Sequence, residues 1–148
     1  SSLQPPYATF LPTTTQKEEH RMFSLTVNDY VMIAHSLPNE FFGPAQQLHG
    51  ATLTVEATFT RPQLDEHSVV LDIGHATKLL DDALEPLRYA DLDSHPDFKG
   101  RLSTSEVIAQ YVGDKLAENL RDLPEVGVSV TIHENPRARV SYTVPDRA

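Results

Sequence analysis

Two stretches of this chain alternate apolar and polar residues for long enough that they fit a β-sheet and little else. From 49 to 59 the odd positions are His49, Ala51, Leu53, Val55, Ala57 and Phe59, and the even ones are Gly, Thr and Glu. Successive strand residues point to opposite faces, so the odd set shares one side. Earlier, Phe23, Leu25 and Val27 alternate with polar residues. After Asn28-Asp29 the set Val31, Ile33, His35 and Leu37 resumes, which predicts a strand, a bulge or turn, and a continuation. Two shorter runs close the chain: Val128, Val130 and Ile132 up to Glu134, then Val140, Tyr142 and Val144 beyond the turn at Pro136.

Between these pairs the period changes to that of a helix. Leu79, Leu80, Ala83, Leu84 and Leu87 recur at helical spacing behind Asp72, a residue suited to an N-cap. Ser103-x-x-Glu106 has the form of a capping box, ahead of a stripe of Val107, Ile108, Tyr111, Val112, Leu116 and Leu120. The order is therefore β-β-α-α-β-β, an α+β chain. Pro38 to Gln47 reads as a loop. Residues 1–20 carry Pro5, Pro6, Pro12 and a Thr13-Thr14-Thr15 run without periodicity, and are expected to be a flexible lead-in to a single domain over 21–148.

Composition narrows the partners. A formal net charge of −9 leaves no broad basic surface for a phosphate backbone, so nucleic acid is not an expected partner. Without cysteine there are no disulfides, thiolate metal ligands or thiol nucleophile. No apolar run approaches the roughly 20 residues of a membrane-spanning helix, so the expectation is a soluble cytoplasmic protein with no membrane partner.

Candidate chemistry begins with two histidines. His49 and Ala51 share the inward face of their strand, and His35 comes from a neighbouring one. A third histidine at 51 would complete three imidazoles with an open position, the usual catalytic zinc arrangement. Ala51 stands there instead. Only a remnant of a zinc site is left: no metal is expected unless a third ligand is recruited, and His67, His75 and His95 are not spaced to provide it. A second candidate is Glu134, which has the parity of Val128, Val130 and Ile132. A carboxylate ending a buried face reaches solvent, finds donors within the protein, or awaits a ligand that supplies them. The edge of an aminopyrimidinone ring offers a matching pair of N–H donors.

Several segments together resemble the 6-pyruvoyl-tetrahydropterin synthase and 6-carboxytetrahydropterin synthase family, of the tunnelling fold. They are Ala34-His35-Ser36-Leu37, Leu48-His49-Gly50, Leu71-Asp72-Ile73-Gly74, Pro86-Leu87 with Leu92-Asp93, Leu102 to Glu106, and Ile132-His133-Glu134. The resemblance implies a four-stranded antiparallel sheet with two helices on one face, and sheets joined side by side into an oligomeric barrel, a hexamer built as a dimer of trimers. It implies that His35 and His49 are two of three zinc ligands and that Ala45 stands at the catalytic cysteine. Arg88 and Tyr89 would replace a catalytic Asp-His pair. Glu134 would match the glutamate that anchors the pterin ring, and Thr104, Ser105 and Glu106 the adjoining ring-binding segment.

Each position also has a structural reading. Glu106 is explained equally by the capping box, and Glu134 by internal hydrogen bonds at a strand end. His35 and His49 are either core histidines or site groups, and Tyr89 and Arg88 either a proton donor with an anion-binding group or surface side chains. His67, His75, His95 and His133 are expected in loops or on solvated faces, and Asp81-Asp82 on an exposed helix face. The expectation is a repurposed enzyme of this family acting on a small cyclic or heterocyclic substrate by cyclisation, elimination or isomerisation, without catalytic zinc. His35, His49 and Tyr89 would be catalytic; Glu134, Glu106, Thr104, Ser105 and Arg88 would bind substrate. The alternatives are a non-catalytic binder of a pterin- or purine-like ligand, and a genuine zinc-dependent synthase.

Overall fold

The alternating segments form the two longest strands of the protein, whose computed structural model describes residues 21–147. The expected lead-in over 1–20 lies outside the described residues. Strand β1 (Phe23–His35) and strand β2 (His49–Arg61) pair antiparallel along their whole length, from Phe23 opposite Arg61 to His35 opposite His49. Unlike the expectation, no bulge or turn interrupts β1 at Asn28-Asp29. Asp29 keeps the parity of the apolar set, and its carboxylate meets the Arg88 guanidinium at 3.0 Å. The polar residue is therefore an ion-pair position, not a break in the strand.

Helix α1 (Ile73–Leu84) begins where Asp72 predicts: the Asp72 carboxylate accepts the His75 N–H at 2.8 Å. Its buried side chains are Ala76, Leu79, Leu80, Ala83 and Leu84, and a 3-10 turn at Glu85–Leu87 adds Leu87. The chain then makes a two-residue strand β3 (Ala90–Asp91), parallel to β1 at Ile33 and Ala34. The sheet thus has five strands where four were expected, because two residues are too short to show alternation. The expected loop from Pro38 to Gln47 contains 3-10 turns over Glu40–Gln46, kinked at Gly43 with φ +54°.

Helix α2 (Ser105–Glu118) starts one residue later than the capping box implies. Thr104 is the N-cap, accepting the Val107 N–H at 3.3 Å, so Glu106 falls in the first turn without reaching back to Ser103. Strand β4 (Gly127–Asn135) then pairs antiparallel with β2, and strand β5 (Ala138–Thr143) with β4, giving the order β3-β1-β2-β4-β5. Both helices cover the apolar face: α1 packs on β1, α2 on β4 and β5, and the helices touch each other. Gly113 of α2 lets the helix approach β5, since a Cβ there would lie 2.9 Å from the Tyr142 ring. Phe59, Leu80, Ile108, Leu116 and Ile132 are fully buried between the layers, each burial contributing about 1.5–3 kcal/mol.

Candidate functional site

The strand parity brings His35 and His49 together. They end β1 and begin β2 as a cross-strand pair, with ring centroids 4.6 Å apart and planes inclined at 63°. His35 is buried at 7% exposure. Its Nδ1 lies 2.9 Å from the Ser103 carbonyl oxygen and 3.0 Å from the Ser103 hydroxyl. A carbonyl only accepts, so Nδ1 carries the proton and Nε2 keeps its lone pair. His49 is set in the same way, its Nδ1 donating to the Gln47 carbonyl at 2.8 Å. Burial holds His35 below the ordinary histidine value; the Ser103 carbonyl opposes this, His49 adds to it, and Asp93 and Glu134 oppose it more weakly. The result is a neutral His35 imidazole that offers Nε2 as an acceptor, beside a His49 ring whose Nε2 is likewise not engaged by the carbonyl.

Glu134 joins this end of the sheet through helix α2. It lies at a register irregularity between His133 and Asn135, where a bulge can re-aim a side chain. The buried Ser105 hydroxyl donates to its Oε1, and the residue is otherwise exposed. Ser103 and Ser105 thus hold His35 and Glu134 respectively, and Thr104 between them is extended. That places the two anchor residues about 6–7 Å apart. Sequence reading missed Ser103, whose capping-box pattern disguised a buried hydroxyl that serves His35. It also gave no role to Asp93, which accepts the Ser36 N–H at 3.0 Å and the Ser36 hydroxyl at 2.6 Å. A cleft of about 390 Å³ opens beside these residues, lined by Ser36, Pro38, Asp93, Phe98, Gly100, Arg101 and Leu102.

The remaining candidates are placed differently. Arg88 binds Asp81 at 2.6 Å, Asp29 at 3.0 Å, Glu85 at 3.3 Å and the Tyr30 carbonyl at 3.1 Å. These partners occupy the guanidinium that was expected to receive a substrate anion. Tyr89 is 82% exposed, with φ +55° and its N–H bonded to the Met32 carbonyl at 2.8 Å. Among the described residues no hydrogen bond, ion pair or ring contact links Arg88 or Tyr89 to His35, His49 or Glu134. Thr104 is spent on capping, and Glu106 is exposed. Of the other histidines, His95 is half-buried, its Nε2 3.1 Å from the Pro86 carbonyl, and His133 stands by Glu56.

The comparisons agree with this fold and these segments. A model of the family described as 6-pyruvoyl tetrahydropterin synthase matches residues 24–145. The chain belongs to the 6-pyruvoyl tetrahydropterin synthase family. It is 30% identical to a Drosophila melanogaster 6-pyruvoyl tetrahydrobiopterin synthase over 96% of this chain and 83% of that protein. The Caenorhabditis elegans 6-pyruvoyl tetrahydropterin synthase structure superposes with a TM-score of 0.74 at 24% identity, covering 83% of this chain and 96% of that one. A Plasmodium vivax synthase, 17% identical, gives 0.69 over 84% of this chain and 98% of that one. A variant of the vivax enzyme is altered at a glutamate that is its catalytic residue.

Within this family fold, the residues present do not fit a three-histidine zinc centre. His35 and His49 have the free Nε2 atoms and carbonyl-bound Nδ1 atoms that metal ligands need, but Ala51, on the same face, has no donor atom. Among the described residues the one grouping of three His, Asp or Glu donors is Asp65, Glu66 and His67, in an exposed turn away from both histidines. No helix among them is long and apolar enough to cross a membrane.

Proposed function

We propose that this protein is a repurposed family enzyme that binds a small cyclic or heterocyclic substrate on Glu134 and moves protons with His35 and His49, without catalytic zinc. Cyclisation, elimination or isomerisation in a specialised biosynthetic pathway suits these groups. The observation that carries the reading is the Ser103-Thr104-Ser105 tripeptide, which fixes a neutral histidine and a half-satisfied carboxylate beside one another. Glu134 has acceptor capacity left beyond the Ser105 bond, enough for the paired N–H groups of a ring edge. A neutral imidazole with a free Nε2 takes a proton from a substrate carbon or oxygen and returns it elsewhere, and such general acid–base steps contribute about 10²- to 10⁴-fold. His49, at the edge of the same pair, is placed to take the opposite role.

The absent cysteine carries little weight, since the vivax relative works through a glutamate. Ala51 carries more, because it removes a donor atom and not merely one kind of nucleophile. A second reading, a binding protein without turnover, draws on the internal ion pairs of Arg88. A zinc-dependent synthase would need a further ligand, supplied by a neighbouring copy of the chain. We further propose a homo-oligomer, a hexamer of two trimeric rings, because β5 and most of β1 beyond the short β3 present open sheet edges.

A panel of pterins and purines, followed by calorimetry and by turnover, tests the reading. Glu134→Gln is expected to weaken binding by about tenfold or more, as loss of a charged hydrogen-bond acceptor does. His35→Gln should leave binding and abolish turnover. Unchanged affinity in Glu134→Gln would remove the anchor, and binding without turnover in the unaltered chain would leave the binding protein.

A further inference from the structure

The β4–β5 hairpin that carries Glu134 on one face carries a different set of groups on the other. His133 and Arg139 are cross-strand partners there, and Asn135, Pro136, Arg137 and Ala138 complete the tip. Together these six residues line a hollow of about 330 Å³. The Asn135 Oδ1 accepts the Arg137 N–H at 2.8 Å, so the side-chain amide keeps its N–H₂ as a free donor. His133 Nε2 is screened from solvent and lies 3.1 Å from Glu56 Oε1, so it faces that carboxylate and not the hollow. Among the described residues neither Arg137 nor Arg139 meets a carboxylate within 4.0 Å, whereas Arg61 and Arg88 do.

Arg137 and Arg139 are thus two neighbouring guanidinium groups without counter-charges on one hairpin tip, in a chain of net charge −9. Their fork geometry suits the oxygens of a phosphate or carboxylate, and the Asn135 N–H₂ adds a donor beside them. We propose that the outer face of the β4–β5 hairpin is a binding site for a small anionic ligand bearing phosphate or carboxylate groups, held by Arg137, Arg139 and the Asn135 amide. The site is separate from the His35–Glu134 pocket: Glu134 points from the opposite face toward Ser105, and the thickness of the sheet lies between. The acid at its border, Glu56, favours ligands compact enough to stay over the two arginines.

Calorimetry on the full chain at low ionic strength, with pyrophosphate and separately with citrate, tests the proposal and distinguishes phosphate from carboxylate. One saturable site per chain is expected for at least one probe. The double variant Arg137→Gln, Arg139→Gln should weaken it by about tenfold or more, while Arg121→Gln, at another arginine without an ion pair, should leave it unchanged. Both substituted residues of the double variant are exposed, and an unchanged urea midpoint would show that it folds. Absence of saturable binding at millimolar probe would overturn the proposal. So would binding that the double variant retains, or that Arg121→Gln weakens equally.

Discussion

His35 and Glu134 are held by serine bonds at the buried start of a helix, whereas Arg88 and Tyr89 stand on a loop fixed by ion pairs and one backbone bond. In the first pair one polar atom of each side chain is partnered inside the protein, and the orientation of each group follows from that partner. Around the second, Arg88 is consumed by three carboxylates and Tyr89 projects outward. The family resemblance placed all four in one site. Under the function proposed above, the part built on α2 receives the ligand, while the loop part holds the chain in place.

The sharpest way to break this contrast is Arg88→Ala. Removing the shared cation leaves Asp29, Asp81 and Glu85 facing one another, and Arg88 is only partly exposed. We expect a loss of about 2 kcal/mol, between the values for surface and buried pairs, read from urea unfolding, with ligand affinity little changed. Full stability with lost affinity would return Arg88 to the substrate. Tyr89→Gly is expected to act in the other direction. A non-glycine residue at φ +55° stores strain, so glycine should stabilise the fold by roughly 0.5–1 kcal/mol, partly offset by its greater freedom when unfolded. Lost turnover in this variant at normal stability would restore Tyr89 as a site residue.

A smaller effect concerns pH. Burial lowers the His35 value from 6.5, so the unfolded chain takes up that proton more readily than the folded one. The contribution to stability is therefore complete above the unfolded value and is lost as pH falls through the folded one. Urea midpoints between about pH 5 and 8 should fall on the acid side, and His35→Gln should flatten that slope. An unchanged slope would mean that another group is responsible.

The legible parts of the molecule were those with a repeating pattern. The parity of 49 to 59 and 31 to 37 gave both strands, the facing of His35 and His49, and the absence of a donor at 51. Asp72 marked a helix start, and Glu134 stood out because it ended an apolar face. Where the physics was non-repeating, the reading went astray. Asp29 looked like a break because its partner Arg88 is 59 residues away. Ala90-Asp91 was too short to alternate. Ser103 and Thr104 compete for the same cap, and only the burial of Ser103 against His35 decides between them. The role of Arg88 depended on three acids, of which Asp29 comes from a distant strand that no local spacing announces.

The central claim is that this pocket works without a resident zinc, and metal content per chain tests it most directly. Protein freed of any tag, purified without chelators and re-equilibrated with zinc, would be measured by mass spectrometry alongside His35→Ala and His49→Ala. The account predicts far less than one zinc per chain, with no difference between the unaltered protein and the two variants. One zinc per chain, lost in either variant, would contradict it and show that His35 and His49 have recruited a further ligand.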